Sequence, residues 1–237
     1  MKRRGLLTLL ALGGCSAPEV RETMIADPRH LAPPQRLALL DFAVTPDEVQ
    51  LDRGVAAQLQ QTLDARPLTA QQLEVARNVG RRVADATAAE LNTRGFAVER
   101  MTRPPAAANA TTLLVEGQLL FADQGNTTRQ RLIGFGAGRS SVGIDAQLYH
   151  AAGALPPRAL EDFEITVESP RTPGMGVGVG AGAAAGRMVD AAIIGGGVQG
   201  LSGTQRANVA AEADSVGREL GGRISTYLDR RGWRIAT

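Results

Sequence analysis

Aromatic side chains make up 3% of the 237 residues, which leaves little with which to stack unpaired bases. The core must therefore be built from Leu, Val, Ile and Ala. Lys2 is the one lysine, and setting aside Lys2, Arg3 and Arg4 at the extreme N-terminus leaves 23 basic against 24 acidic residues. The remainder is arginine without a basic excess, so no nucleic-acid partner is expected. Two histidines, His30 and His150, and one cysteine, Cys15, provide no Cys-His or His-Glu-x-x-His spacing. Neither a metal site nor a cofactor is expected. A Gly-x-Ser-x-Gly nucleophile elbow is also missing, and no catalytic residue is assigned. The uncharged runs 172–186 and 191–205 are each 15 residues long, short of the roughly 20 that a bilayer-spanning helix requires.

What is present begins at the N-terminus. Met1-Lys2-Arg3-Arg4 is a positive start, Gly5 to Leu12 a short apolar run, and Leu12-Gly13-Gly14-Cys15 a leucine, two small residues and a cysteine. This order resembles the lipobox of bacterial lipoproteins. It implies a signal peptide over 1–14, cleavage between Gly14 and Cys15, and lipidation of Cys15. Several acyl chains, such as palmitate, would then anchor the chain to a membrane through its N-terminus. Ser16 after the cysteine favours the outer membrane, with the protein facing the periplasm. Thioether lipidation also accounts for an unpaired cysteine in an exported chain.

Residues 15–35, rich in Pro, Ala and charge, read as a tether, and 36–237 as a single α/β domain. Arg36 to Val44 is an apolar run closed by Thr45-Pro46, the mark of a buried strand. Thr69 is placed to cap a helix, with Gln72 at the capping-box position. Leu73, Ala76, Val79, Val83, Ala86 and Leu91 follow at helical spacing, and Gly95 ends the helix before a strand at Phe96-Ala97-Val98. The ending is echoed at the C-terminus by Leu228 to Ile235, where Gly232 and Trp233 follow a helix carrying Val209, Val216, Leu220, Ile224 and Leu228 on one side. Between the helices, 111–122, 142–149 and 163–168 read as strands joined by short turns. The fold class expected is α/β (α+β): a mostly antiparallel sheet covered by two long helices.

Gly134, Gly136 and Gly138, with Arg129, Arg131 and Arg139 about them, raise a phosphate loop as one reading. The motif has no Lys-Ser/Thr after its last glycine, and a strand follows it where an anion site needs a helix N-terminus. The glycines then serve a bulge, a twist or the close approach of another backbone, and Arg129, Arg131 and Arg139 remain weak anion-contact candidates. A second glycine-rich segment, 172–205, is a helix or a hairpin. Within it Gly174, Gly178, Gly182 and Gly186 recur every four residues, the spacing of a groove for helix packing, oligomer contact or membrane insertion. Glu161, Asp162, Glu164 and Glu168 cluster, and Glu164 and Glu168 fall on the polar face of a strand.

The lipobox, early strand, helix ending Arg-Gly-aromatic, Gly134-to-Ser140 motif, glycine tract and terminal helix come in an order that resembles the bacterial lipoprotein family called domain of unknown function 4410. The resemblance implies no activity or ligand. Fold-level similarity to periplasmic assembly lipoproteins favours binding over catalysis. The expectation is a non-enzymatic accessory or scaffold of an envelope complex, with a protein partner in the envelope. The alternatives are a homo-oligomer or membrane-active protein working through the glycine tract, and an enzyme acting on cell-envelope polymer.

Overall fold

The computed structural model describes residues 17–27, 30–53, 58, 61, 66–104, 108–126, 138–153, 155–170 and 199–235. The elements run β1 (Glu19–Met24), β2 (Arg36–Leu40), a 3-10 turn (Pro46–Glu48), β3 (Val49–Gln50), α1 (Leu68–Thr93), β4 (Val98–Met101), β5 (Ala108–Asp123), β6 (Ser141–Gly153), β7 (Arg158–Glu168) and α2 (Gln199–Arg231). The fold is α+β, and among the described residues seven strands form one sheet in the order β1-β7-β6-β5-β2-β4, with β3 added to β5.

Period-two patterning decides which face of the sheet is buried. Val142, Ile144 and Ala146 of β6 stand opposite Val167, Ile165 and Phe163 of β7. All six join one core with Val79, Val83 and Leu91 of α1 and Val216, Leu220 and Ile224 of α2. Both helices therefore cover the same face. They run parallel, because contacts advance together in both: Arg82 meets Asp214 at 3.0 Å, and the Gly217 backbone lies against Val83, Gly221 against Glu90. Among the described residues no helix is long and apolar enough to cross a membrane.

The sheet is mixed and not mostly antiparallel. β1, β7, β6 and β5 pair antiparallel, but β2 is parallel to both β4 and β5. The cause is α1, a crossover that returns the chain to the sheet in its original direction. Of the expected short turns only the one between β6 and β7, residues 154–157, is found, since residues 124–140 separate β5 from β6. Turn length therefore reported on that pair alone.

The expected tether is largely folded onto the domain. Glu19 to Met24 adds to β7 as an edge strand, Ile25 and Ala26 donate to the Leu160 carbonyl, and the Ala32 carbonyl lies 2.9 Å from His150 Nε2. Its alternation was hidden by charge: Val20 and Glu22 share one face of β1, Arg21 and Thr23 the other.

Helix α1 begins one residue before Thr69, which is not its cap. Pro67 occupies the N-cap position without a side-chain bond, its carbonyl accepts from Ala70 and Gln71, and the Gln72 amide reaches across to the Val49 carbonyl at 2.8 Å. The helix ends agree with the sequence in detail. Gly95 and Gly232 have φ of 86° and 65°. Phe96 N–H donates to Leu91 and Trp233 N–H to Leu228, both at 3.0 Å, the six-to-one bond of a Schellman motif. Only the first copy leads into a strand; after Trp233 the described residues are irregular, with Ile235 buried but in no ladder.

Candidate functional site

Among the described residues, two clusters of ionisable side chains lie along α2, one at Glu212 near its middle and one at its C-terminal end. The first grows out of the glycine motif. Gly138 has φ of 73°, its carbonyl accepts from Asn126 N–H at 2.9 Å, and a Cβ on Gly125 would fall 2.3 Å from that same oxygen. Backbone touches backbone here, which is what glycine permits. β6 follows directly. Arg139 pairs with Glu168 at 2.6 Å. Ser140, fully buried, donates its hydroxyl to Glu212 Oε1 at 2.7 Å, while Ser140 N–H donates to Ser169 Oγ at 3.2 Å and Ser169 N–H to the Ser140 carbonyl at 3.0 Å. Burial pushes the Glu212 carboxyl up to about 7; the Ser140 hydroxyl opposes this, and the Glu168 and Asp123 carboxylates add to it. A serine with no exposed surface cannot meet a substrate. The cluster locks the start of β6 and the end of β7 to α2.

The second cluster lines a cleft of about 570 Å³ formed by Glu22, Met24, Glu161, Tyr227, Arg230 and Arg231. Glu22 of β1 accepts from Arg230 at 3.0 Å and faces Arg223 at 3.7 Å. Glu161 of β7 is 4% exposed and lies against Glu22. Burial first, then the neighbouring Glu22, pushes its carboxyl up to about 8, whereas the hydrogen bond with Glu161, opposed by burial and aided by Arg230, lowers Glu22. Tyr227, pushed up to about 12 by burial, carries Arg231 over its ring at 5.4 Å. On the sheet face away from the helices, burial and then Asp162 raise Asp145 to about 6.

Of the residues singled out in the sequence, Gly14, Cys15, Arg129, Arg131, Gly174, Gly178, Gly182 and Gly186 lie outside the described residues. Arg139 is brought to Glu168, and Glu164 to Arg21 at 2.6 Å. Glu161 and Glu212 were missed as buried acids, though each had a signal. Counting back by two from Ile165 and Phe163 lands on Glu161, on the apolar parity of β7. Glu212 falls three residues after Val209 and four before Val216, within the apolar stripe of α2.

The sequence model of the family described as Domain of unknown function (DUF4410) matches residues 38–196. The chain belongs to this family. The matched stretch of this DUF4410 member runs from β2 to just short of α2, so β1 and the second covering helix lie outside it although both complete the fold. No curated protein matches the chain. Among solved structures it is similar to a chain of a point-variant PelC dodecamer from Paraburkholderia phytofirmans, at 12% identity and a TM-score of 0.32, covering 84% of this chain and 98% of that one. That likeness is too distant to carry an argument.

Proposed function

We propose that this DUF4410 protein is a lipid-anchored lipoprotein of the cell envelope, held at the outer membrane through Cys15 and facing the periplasm, and that it serves as a non-enzymatic accessory or scaffold of an envelope complex. The observation that carries the reading is the place of β1. Glu19 is four residues from Cys15, so an acyl chain on that cysteine attaches within about 14 Å of the sheet edge. A domain held so close has one end against the lipid surface and the other free for a partner. The two acidic clusters favour binding over chemistry, since Ser140–Glu212 is sealed inside and Glu22 is engaged by arginines.

Replacing Cys15 by Ser is expected to leave the protein soluble in the periplasm, with a processed N-terminus lacking the acyl mass. Persistent membrane attachment in a fractionation experiment would overturn the lipid as sole anchor.

A second reading, association or membrane contact through the glycine tract, is favoured by topology. The residues that bound the tract, Pro170 after β7 and Gln199 at the start of α2, leave the sheet at the end where β1 begins, since Glu19 stands opposite Thr166 and Glu212 meets Ser140. The double change Gly178→Leu and Gly182→Leu should then abolish self-association in light scattering; an unaltered oligomeric state removes this reading.

A further inference from the structure

The grip on β1 is concentrated in one place. β1 pairs with β7 from Glu19↔Thr166 to Met24↔Glu161, and among the described residues it has no strand on its other side. Its inward acid, Glu22, is held by Arg230 and Arg223 of α2. Just past the strand, Asp27 meets Arg231 at 3.8 Å, and an Arg231 N–H approaches the Met24 sulfur at 3.7 Å. Glu161 is therefore surrounded by Glu22 from β1, Asp27 from the segment after it, and Arg223, Tyr227, Arg230 and Arg231 from α2. Its Oε2 is buried and takes no hydrogen bond from any of these arginines or from the tyrosine. Two carboxyls lie against each other in this way only if a proton bridges them.

We propose that β1 is a proton-held strap: a proton shared by Glu22 and Glu161 fastens the strand to the sheet, and loss of that proton frees β1 and lengthens the leash between Cys15 and the domain. With β1 docked the leash is the four residues to Glu19. With β1 free the next hold is Ile25 and Ala26 on the Leu160 carbonyl, and the reach grows from about 14 Å to about 35 Å. The leash rests on the lipid reading of Cys15; the strap does not.

The direction with pH follows from linkage. In the docked state Glu161 is pushed from 4.5 up to about 8 by burial and by Glu22, and both causes lapse when β1 leaves. Between pH 4.5 and 8 the docked state therefore holds the extra proton. What Glu161 contributes to docking is complete below 4.5 and is lost, by up to about tenfold per pH unit, as pH rises toward 8. Glu22, lowered from 4.5, acts with the opposite sign and only below that pH.

Hydrogen exchange of the full chain, corrected for intrinsic rates and followed by mass spectrometry from pH 5 to 8, tests this. Protection of 20–24 is expected to fall several-fold to tenfold per unit while that of the buried part of α1 keeps a much smaller slope. Glu161→Gln is expected to flatten the β1 slope; should it fail to fold, Glu22→Gln, which places an amide donor against Glu161, is expected to do the same. A β1 slope that is absent in the wild type, or unchanged in the folded variant, overturns the strap. The acyl mass on Cys15 is read separately: a pH-dependent β1 in a protein without lipid supports the strap and overturns the leash.

Discussion

Replacing Gly217 by Val is expected to lower the unfolding free energy by about 3 kcal/mol, the upper range for overpacking a closed interior. A Cβ at this position would lie 2.4 Å from the Val83 carbonyl oxygen and 2.7 Å from the Ala86 Cβ. The obstacle is backbone, which cannot swing aside as a side-chain tip does, so α1 and α2 must separate. Gly221, one turn on, is nearly as tight, with the Glu90 Cβ at 2.8 Å. Gly222 is the control. Its nearest neighbour is the end of the Arg94 side chain at 3.6 Å, so Gly222→Ala should stabilise by about 0.5–1 kcal/mol through helix propensity alone. Urea unfolding followed by far-UV circular dichroism measures both. If Gly217→Val melts like the wild type, the helices do not approach as described.

Glu212→Ala is expected to cost about 3 kcal/mol. The Ser140 hydroxyl, fully buried, loses its acceptor, about 1–3 kcal/mol, and the truncated side chain leaves a cavity besides. Glu212→Gln keeps the volume and an acceptor oxygen and stands in for the protonated acid, so it should lie within about 1 kcal/mol of the wild type below pH 4.5 and become the more stable of the two as pH rises toward 7. The pH dependence separates the two roles of the acid. Its carboxyl lies at about 7 when folded against 4.5 when exposed, so the folded state holds the extra proton. The stability it contributes is complete below pH 4.5 and is lost as pH rises through about 7, at no more than about 1.4 kcal/mol per unit. Glu161 titrates with the same sign, so the difference between the wild-type and Glu212→Gln curves isolates Glu212. A difference independent of pH between 4.5 and 7 would refute the buried carboxyl.

The elements with strong periodicity were legible before any coordinates. Val142 to Leu148 alternates and forms β6; Val79, Val83 and Leu91 share one side of α1; Gly95 and Gly232 both adopt positive φ after a helix. The strand pairing was only partly legible, because the four residues between β6 and β7 fix that pair whereas a 26-residue helix between β2 and β4 leaves direction to tertiary packing. Strand β1 was obscured because its six residues, Glu-Val-Arg-Glu-Thr-Met, carry three charges, and Glu22 is paired from α2, more than 200 positions away. Both buried acids occupied apolar positions in period-based patterns, yet residue type argued for solvent. Only the packed structure shows what compensates them: a serine for Glu212, another carboxyl for Glu161. Of the glycine motif, Gly138 makes a close backbone contact and a strand follows it, while Gly134 and Gly136 lie outside the described residues.

Because α1 and α2 lie side by side in the same direction, their peptide dipoles add, unlike the cancelling pair of an antiparallel hairpin. Each contributes roughly half an elementary charge at its end. The negative ends point the same way: α1 closes at Arg94 beside Gly222, and α2 runs on to the cleft, with Arg230 and Arg231 in its last turn. The positive ends point to where β1 begins. The domain thus has an electrical as well as a structural polarity, and an anionic surface beside Cys15 would face its positive pole.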